Sequence, residues 1–421
     1  MLTEWFGRNI SKLRILIISQ YFWPEDFRIN ETISFFTSRK HEVSVLTGKP
    51  NYPEGKIFSE YSSNPEKYNF YHGAEIIRLP ILSRGNSKVK LFLNYLSFVL
   101  LGSLLGPVKL RGRTFDIIFV YEPSPITVGL PAIVISRIKK LPIVFWALDL
   151  WPETLQALKI VKSKFLVTIF KKLAKFIYSN CTLVLGQSKS FVKNISKYIE
   201  DPEKVKFFPS WCEDMEISDA TPLASEISTS KDHFNILFTG NIAEAQDMPR
   251  VLDAIEISKK KTNLRWYFIG DGRKLNWLKR SIDSRNLQDK VFLLGRFPAE
   301  RMPEFFKHAD ALLVSLQQSD AFSMVIPAKI QTYLKAGIPI IGMLDGDGKE
   351  IIDKSLAGMT CSAGNSHALA SIFIRISELG THERKLMGKN GKKFAKENFD
   401  KELLLENLEN HFRRSIEKYN E

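Results

Sequence analysis

Residues 311–341, ALLVSLQQSDAFSMVIPAKIQTYLKAGIPII, contain two short apolar runs separated by one amphipathic run. The runs at 311–315 and 338–341 have the length of buried strands, and Pro327 predicts that a helix begins at Ala328. A strand, a helix and a strand in this order form a βαβ unit, in which the two strands lie parallel in one sheet. The stretch therefore predicts a parallel sheet covered by helices.

The same alternation extends through two blocks of the chain. In the first block, strands are predicted at 14–19, 43–46, 76–79, 117–121, 143–146 and 183–185, with helices at 30–38, 126–138, 164–178 and 188–198. In the second block, strands are predicted at 235–238, 266–269, 291–294, 311–315, 338–341 and 359–361, with helices that begin near Pro249, Arg273, Pro303, Ala328, Lys349 and Ser366. Residues 211–233 are acidic, rich in Ser and Thr and aperiodic, which is typical of an interdomain linker.

The length of the chain favours two domains. A chain of 421 residues exceeds one ordinary core and fits two domains of about 150–200 residues each. We therefore predict an α/β fold with two doubly wound, Rossmann-like parallel-sheet domains that face each other across a cleft. The expected bounds are 1–210 for the first domain, 211–233 for the linker and 234–399 for the second domain.

Composition and cysteine usage restrict the class of protein. With 44% hydrophobic and 25% charged residues, the sequence is that of a folded soluble protein rather than a disordered one. Cys181, Cys212 and Cys361 lie far apart without CxxC spacing, which argues against a disulfide framework or a zinc site and favours a reducing compartment. Residues 1–12 lack the apolar stretch of a secretory signal, so we expect a cytoplasmic protein.

The net charge of +14 requires an anionic partner, which would be nucleic acid, a membrane surface or a phosphorylated substrate. Residues 159–177 interleave six lysines with a broad set of apolar residues. A basic helix with a wide apolar side is typical of a membrane interface, whereas nucleic-acid-binding proteins present a polar basic stripe. A core-packing helix whose lysines face water is the alternative. We favour an anionic inner-membrane surface over nucleic acid.

A second segment also indicates a membrane. Residues 91–108, LFLNYLSFVLLGSLLGPV, contain no charge and are flanked on both sides by lysines and arginines. Spanning a bilayer takes about 20 residues, and Asn94, two glycines and a proline weaken a spanning helix further. We expect a peripheral or monotopic helix whose flanking cations meet lipid phosphates. A fully buried helix is the alternative.

Polar residues after predicted strands are candidate site residues, because ligands bind beyond the carboxyl ends of parallel strands. After the first strand, Arg28, Asn30 and Glu31 open a helix whose free N–H groups favour an anion. The alternative is a plain cap by Asn30, with Arg28 in solvent. After the fifth strand, Asp149 and Glu153 are candidates for positioning a sugar hydroxyl or acting as a general base, or for capping the next helix.

The second block has glycine turns at three strand ends, which can cradle a phosphate. The candidate residues in these turns are Gly240, Asn241, Gly272, Arg273, Gly295, Arg296 and Phe297. Arg273 can reach a phosphate, and the backbone of the third turn can bind the edge of a base. No P-loop and no complete GxGxxG is present, so each turn alone is a weak signal.

The loop before Ala328 provides the strongest candidate. Where this loop turns from the strand toward the helix it contains the small residue Ser323, and Lys329 follows in the first turn of the predicted helix. A cation there is electrostatically unfavourable unless an anion such as a diphosphate is bound. A lysine that extends into solvent is the alternative. Residues 345–347, Asp-Gly-Asp, are interpreted as a turn, and the scattered histidines support no metal site.

These segments together resemble a known family. In chain order they read SQYFWPE, RINE, FWALDLWPET, LFTGNIAEAQ, FIGDGR, LLGRFP and IPAKIQTYLKAGIPI. They resemble the retaining GT-B glycosyltransferases of family 4, and within it the N-acetylfucosamine-transferase-like enzymes of O-antigen, capsule and colanic acid assembly. The resemblance extends over nearly the whole chain from about Arg14.

The resemblance implies a UDP-sugar donor on the second domain and an acceptor on the first. It implies that the backbone of residues 295–297 contacts the uracil and that Gly240, Asn241 and Lys329 lie by the diphosphate. It places Asp149 near the sugar and the acceptor hydroxyl. It further implies a saccharide on a polyprenyl diphosphate as acceptor, and catalysis without a metal or other cofactor.

The chain departs from the family pattern in the donor site. Family members usually have two glutamates in an E-x7-E pair, and these positions are here Met324 and Thr332, of which Thr332 supplies only a hydroxyl. The common Arg and Lys of the phosphate loop are here Asn241 and Gln246. The resemblance also implies a closing helix at 400–421 that packs back on the first domain.

The expected function is retaining transfer of an amino- or deoxy-sugar, such as N-acetylfucosamine, from UDP to a lipid-linked acceptor in bacterial surface polysaccharide biosynthesis. A UDP-sugar 2-epimerase of the same fold is one alternative, and it would be active without an acceptor. A non-catalytic protein of the membrane surface is another. A Rossmann dehydrogenase is disfavoured, because the complete GxGxxG is missing.

Overall fold

The computed structural model describes residues 12–85, 87–157, 159–228, 232–260 and 263–421. They form two compact units. The first unit contains the described residues up to Gln187, with Phe191–Phe208 and Leu405–Glu421. The second unit contains Ser188–Ser190 and Pro209–Leu404.

The first unit is built on a sheet of eight strands among its described residues. In chain order these are β1 (Arg14–Ile18), β2 (Glu42–Gly48), β3 (Phe70–Tyr71), β4 (Ala74–Leu79), β5 (Ile117–Glu122), β6 (Ile143–Ala147), β7 (Leu183–Gly186) and β8 (Val205–Phe207). Their order across the sheet is β3-β4-β2-β1-β5-β6-β7-β8, and all pairs are parallel except β3 with β4. Every residue of β5 and β6 is buried, as expected for central strands covered on both faces.

The helices that follow these strands pack on one another as well as on the sheet. They are α1 (Arg28–Ser38), α2 (Ser59–Ser63), α3 (Lys88–Lys109), α4 (Gly129–Lys139), α5 (Glu153–Ala157), α6 (Lys164–Ser179) and α7 (Lys189–Ile195). A Cβ added to Gly102 of α3 would lie 2.9 Å from Pro131 of α4, so these helices approach closely through a small residue. A Cβ added to Gly129 of α4 would lie 2.6 Å from Ile177 of α6. Helices α3, α4 and α6 therefore form one layer.

Helix α3 confirms the helix predicted at 91–108 and extends it at both ends. Its buried residues are Asn94, Ser97, Phe98, Gly102 and Gly106, so mainly polar and small residues face the protein. Its exposed residues include Val89, Phe92, Leu93, Leu96, Leu100, Leu104 and Val108. By length and composition it is the one helix among the described residues that could cross a membrane, and 28% of its most apolar window is buried. The fully buried alternative is therefore wrong.

The second unit is built on a six-stranded parallel sheet among its described residues. Its strands are β9 (Phe234–Thr239), β10 (Leu264–Ile269), β11 (Val291–Gly295), β12 (Ala311–Ser315), β13 (Ile340–Met343) and β14 (Gly358–Cys361), in the order β11-β10-β9-β12-β13-β14. The helices from here on are α8 (Met248–Ser258), α9 (Leu275–Ser284), α10 (Met302–Phe306), α11 (Asp320–Ser323), α12 (Ala328–Ala336), α13 (Gly346–Ser355), α14 (Ser366–Glu378), α15 (Thr381–Asn398) and α16 (Lys401–Asn420). The α/β class and the two parallel sheets are as predicted.

Helix α16 contributes to the first unit from Leu405 onward. The ring of Phe412 stacks on Phe36 of α1 with 5.3 Å between centroids and lies 5.2 Å from Phe119 of β5. The pKa of Glu409 falls to about 2, because His41 and Arg413 bind its carboxylate. The last helix thus completes the core of the first sheet.

Several predicted elements differ from the structure. Helix α1 begins at Arg28 rather than Asn30, with Phe27 as the N-cap. Residues 345–347 form a helix start rather than a turn, since α13 begins at Gly346. The described part of the expected linker 211–233 belongs to the second unit, where Ala224 and Ile227 are buried in the core.

Candidate active site

Glycine turns meet at the carboxyl ends of β9, β10 and β11. The N–H of Gly240 donates to Ile269 O at 2.8 Å, and the N–H of Gly270 donates to Gly295 O at 2.7 Å. Gly270 has φ +150°, and a Cβ there would lie 1.9 Å from Gly240 O. Gly272 has φ +157°, and a Cβ there would lie 2.3 Å from Ile242 O. Only glycine fits these two positions, so bare backbone lines this end of the sheet.

Lys329 lies beside the first of these turns, in the first turn of α12. Its Nζ is 3.7 Å from the ring centroid of Phe238, and a Cβ on Gly240 would lie 3.8 Å from it. The Nζ is buried and has no hydrogen-bond partner among the described residues, and burial lowers its pKa to about 7. The alternative of a lysine extending into solvent is therefore wrong. A buried amine without a counterion is suited to receiving an anion.

Tyr333, which the sequence analysis did not single out, fixes the position of this lysine. Its hydroxyl lies 3.1 Å from both the backbone N and the Oγ1 of Thr239 at the end of β9. This pair ties the buried face of α12 to the strand that leads into Gly240. A buried aromatic residue four positions after Lys329 was the only signal in the sequence.

The other donor-site candidates in the second unit differ in orientation. Asn241 is close to the second glycine turn, because a Cβ on Gly272 would lie 2.5 Å from its Oδ1. The side chains of Arg273 and Arg296 are exposed at their turns. The ring of Phe297 packs on Phe305 with 4.7 Å between centroids.

The helix-side candidates form local hydrogen bonds. Thr332 Oγ1 donates to Ala328 O at 3.4 Å within α12, and Ser323 Oγ donates to Asp320 O at 2.8 Å. The structure thus brings Gly240, Asn241, Gly272 and Lys329 together, whereas the hydroxyls of Ser323 and Thr332 have partners within their own segments.

In the first unit, Asp149 lies at a polar corner after β6. Its carboxylate accepts the indole N–H of Trp151 at 3.0 Å, and its backbone N–H donates to Glu122 Oε2 at 3.3 Å. Ser124 is a further hydrogen-bonding neighbour of Asp149 and is held at φ +130°, which side chains rarely adopt. Burial raises the pKa of Asp149. The pKa of Glu122 is raised well above its usual value, first by burial and second by electrostatic repulsion from Asp149.

The ring of Trp151 connects this corner to two helices. It lies 6.3 Å from the ring of Tyr95 on α3 and 5.5 Å from the ring of Phe170 on α6. Tyr95 also has Tyr21 and Ser124 as hydrogen-bonding neighbours. Asp149 is therefore adjacent to the two helices whose outer surfaces expose apolar residues.

The remaining candidates of the first unit have other partners. Glu153 opens α5 and accepts the hydroxyl of Tyr198 at 2.8 Å rather than joining the corner at Asp149. Arg28 pairs with Glu31 at 3.7 Å. Asn30 Nδ2 donates to Glu25 O at 2.8 Å, so Asn30 lies within α1 and does not cap it.

Two residues that the sequence analysis missed organise the loops after β1, β2 and β4. Glu25 accepts the backbone N–H groups of Phe22, Asn51 and Tyr52 at 2.9, 2.6 and 2.7 Å, and burial raises its pKa to about 6. Arg84 lies 5.0 Å from the ring of Tyr52 and 6.0 Å from the ring of Tyr21. Their only sequence signal was a charged residue in a loop after a predicted strand.

Comparisons with known proteins agree with this architecture. A family model described as "Glycosyl transferases group 1" matches residues 222–394. The colanic acid biosynthesis glycosyl transferase WcaI of Escherichia coli (strain K12) is 23% identical over 77% of this chain and 82% of its own length. The amylovoran biosynthesis glycosyltransferase AmsK of Erwinia amylovora is 28% identical over 34% of this chain, and that match spans 36% of AmsK.

Solved structures resemble the whole chain at low sequence identity. Anabaena Alr3699/HepE, in complex with UDP and glucose, has a TM-score of 0.67 at 15% identity and covers 95% of this chain and 99% of its own. Sucrose-phosphate synthase of Thermosynechococcus elongatus has a TM-score of 0.71 at 14% identity, with 96% and 99% covered. These neighbours have the GT-B fold. Residues 222–394 thus match the group 1 glycosyltransferases, the chain has the GT-B fold of these neighbours, and the matches support a transferase.

Proposed function

We propose that this glycosyltransferase transfers a sugar from a UDP donor to a saccharide on a polyprenyl diphosphate, with retention of anomeric configuration, in bacterial surface polysaccharide biosynthesis. The relatives in amylovoran and colanic acid biosynthesis support the pathway class. The resemblance to N-acetylfucosamine-transferase-like enzymes supports an amino- or deoxy-sugar as the donor sugar.

The buried Lys329 ammonium beside the glycine turns is the observation that supports a nucleotide diphosphate donor. The leaving group of the reaction is UDP, whose diphosphate gains negative charge as the glycosidic bond breaks. A buried cation stabilises such charge more than an exposed one, because little water screens it. Lys329 would supply this stabilisation without a metal ion. The bound UDP of Alr3699/HepE is consistent with such a donor.

Asp149 is the proposed group on the acceptor side. Its carboxylate is partly buried, and Trp151 holds it in a fixed orientation. A carboxylate with a raised pKa can accept a proton from the acceptor hydroxyl as that oxygen attacks the donor sugar. Glu153 is bound by Tyr198, so we assign it to positioning of the loop after β6.

A membrane surface is the proposed site of action, and helices α3 and α6 support it. The apolar residues of α3 that face away from the protein lie between lysines at both ends of the helix. Helix α6 exposes Phe165, Leu166, Ile169 and Phe176 next to Lys164, Lys171, Lys172 and Lys175. Apolar residues beside lysines match an interface with anionic lipid, and we propose peripheral or monotopic binding at the inner membrane.

The test uses the pure protein with a panel of radiolabelled UDP-sugars and membrane extract. Labelled lipid is expected from one donor, and Lys329→Ala should weaken UDP binding by at least about tenfold while Lys279→Ala, an exposed lysine of the same unit, should not. Absence of labelled lipid from every donor, with folded enzyme, would overturn the proposal. Conversion of a UDP-sugar without any acceptor would identify a 2-epimerase instead.

A further inference from the structure

Arg84 is a cation in the first unit for which the structure shows no carboxylate partner among the described residues. Its guanidinium lies beside the paired rings of Tyr21 and Tyr52, 6.0 and 5.0 Å from their centroids, and its Nη1 is 3.5 Å from the hydroxyl of Tyr21. Its backbone N–H donates to Asn51 Oδ1 at 2.9 Å, which fixes the loop that holds it. Aromatic rings and a fixed loop preorganise the guanidinium, whose fork of N–H donors matches phosphate oxygens.

The Arg84 loop lies along the first turns of α3. Leu82 O accepts from Asn94, and the N–H of Leu82 donates to Ser97 Oγ at 3.1 Å. A Cβ on Gly85 would lie 2.4 Å from Cδ of Lys90, so a second cation is close to the loop. The side chain of Leu82 is 55% exposed beside this helix. An anion held by Arg84 would thus be adjacent to an exposed apolar surface.

A continuous set of polar side chains connects Arg84 with Asp149. Tyr21 interacts with Arg84 and with Tyr95, Tyr95 interacts with Ser124, and Ser124 interacts with Asp149. All of them lie at the carboxyl ends of the strands or on the adjacent side of α3. A phosphorylated sugar bound along this set would have its phosphate at one end and a hydroxyl at the other.

We propose that Arg84 binds the diphosphate of a prenyl-diphosphate-linked acceptor and that the prenyl chain lies along the exposed apolar residues of α3. This inference rests on the proposed function and assigns its acceptor side to particular residues. The acceptor saccharide would then extend from Arg84 toward Asp149. Tyr21 and Tyr52 act as positioning residues, because the guanidinium lies against both of their rings.

The test measures binding of farnesyl diphosphate by calorimetry, with UDP at saturating concentration so that the donor site is occupied. Arg84→Gln is expected to raise the Kd by about tenfold or more, Arg84→Lys to recover part of the loss, and Arg111→Gln, an exposed arginine after α3, to change nothing. Farnesol in detergent micelles should bind weakly and equally to all variants. An unchanged Kd in Arg84→Gln, or an equal loss for farnesol, would overturn the inference.

Two further measurements show whether a negative result counts against the lipid acceptor or against the proposed UDP donor. Inorganic pyrophosphate should bind at least about tenfold more weakly than farnesyl diphosphate, and equal affinity would show a site for free phosphate and overturn the lipid assignment. A titration with UDP alone tests the donor side. A wild-type protein that binds farnesyl diphosphate through Arg84 but not UDP would contradict the proposed donor and leave this inference standing.

Discussion

The Nζ of Lys329 lies 3.7 Å from the centre of the Phe238 ring and has no hydrogen-bond partner among the described residues. Among the described residues, only the π-face of Phe238 stabilises the buried charge of Lys329. This cation–π interaction is weaker than an ion pair with a carboxylate. Burial therefore lowers the pKa of Lys329 to about 7, and the unliganded protein is divided between a charged and a neutral amine near neutral pH.

Binding of UDP should be coupled to proton uptake above pH 7. A diphosphate next to Lys329 favours the charged amine and raises its pKa from about 7, so the neutral amine must gain a proton when UDP binds. The affinity for UDP should fall by up to about tenfold per unit between pH 7.5 and 9. Calorimetry at pH 8 in buffers of different ionisation enthalpy measures the uptake. Lys329→Arg, which keeps its charge, should bind UDP without it.

The contribution of Lys329 to the stability of the unliganded protein should become more favourable as the pH rises from about 7 toward 10.5. The folded protein releases the Lys329 proton near pH 7, whereas the unfolded chain keeps it to about 10.5, so the unfolded state binds more protons in this window. Lys329→Met removes the buried charge and should raise Tm at pH 6.5 by about 5 °C, with little change at pH 10. Thermal unfolding at both pH values checks this, and an equal shift at both would contradict it.

Gly270→Ala should disrupt the glycine turns and abolish UDP binding. The new methyl group would lie 1.9 Å from Gly240 O, and alanine strongly disfavours φ +150°. We expect a loss of about 3 kcal/mol in the free energy of unfolding. Gly364→Ala is the matched control, since Gly364 has φ +77° but open space around its Cα. A comparable loss in the control would assign the effect to backbone strain alone.

Asp149→Asn should separate turnover from donor binding. The amide oxygen can still accept the indole N–H of Trp151, so the corner stays intact while the base is lost. We expect kcat to fall by about 100-fold with an unchanged Kd for UDP. Steady-state kinetics and calorimetry give the two values, and a proportional loss of UDP affinity would point to a structural role.

Glu122→Gln should retain most of the wild-type activity, whereas Asp149→Asn should lose most of it. Burial raises the pKa of Glu122 well above its usual value and so favours the neutral carboxyl, and glutamine can accept the Asp149 N–H in the same place. Glu122→Leu leaves this N–H unsatisfied and should lower kcat by about tenfold. Similar losses in both variants would mean that Glu122 acts as a charged group.

Substitutions on α3 should loosen membrane binding without unfolding the protein. Phe92→Gln with Leu100→Gln removes exposed apolar area, because 63% of Phe92 and 51% of Leu100 are accessible to solvent. The fraction of the protein that cosediments with anionic vesicles should fall at every salt concentration. Removing the charges of Lys171 and Lys172 on α6 should weaken binding at low salt only. Full binding by both double variants would exclude these helices from the interface.

The sequence alone predicts features that depend on residues close to one another along the chain, but not features that depend on residues brought together by folding. Lys329 was recognised because a cation in the first turn of a helix is a local electrostatic conflict. Arg84 was not, because the rings of Tyr21 and Tyr52 come from two other loops. Strand β3 has two residues and therefore too little periodicity to detect, and the start of α13 at Gly346 resembled a turn because glycine and aspartate are common in both.

The contacts of α16 affect the order in which the protein can form during synthesis. Phe412 packs on Phe36 and Phe119, so the core of the first unit lacks a large aromatic side chain until residues 405–421 have left the ribosome. The residues of the second unit extend no further than Leu404. Domains usually fold in order from the N-terminus. Here the first unit is synthesised first, but it completes its core last.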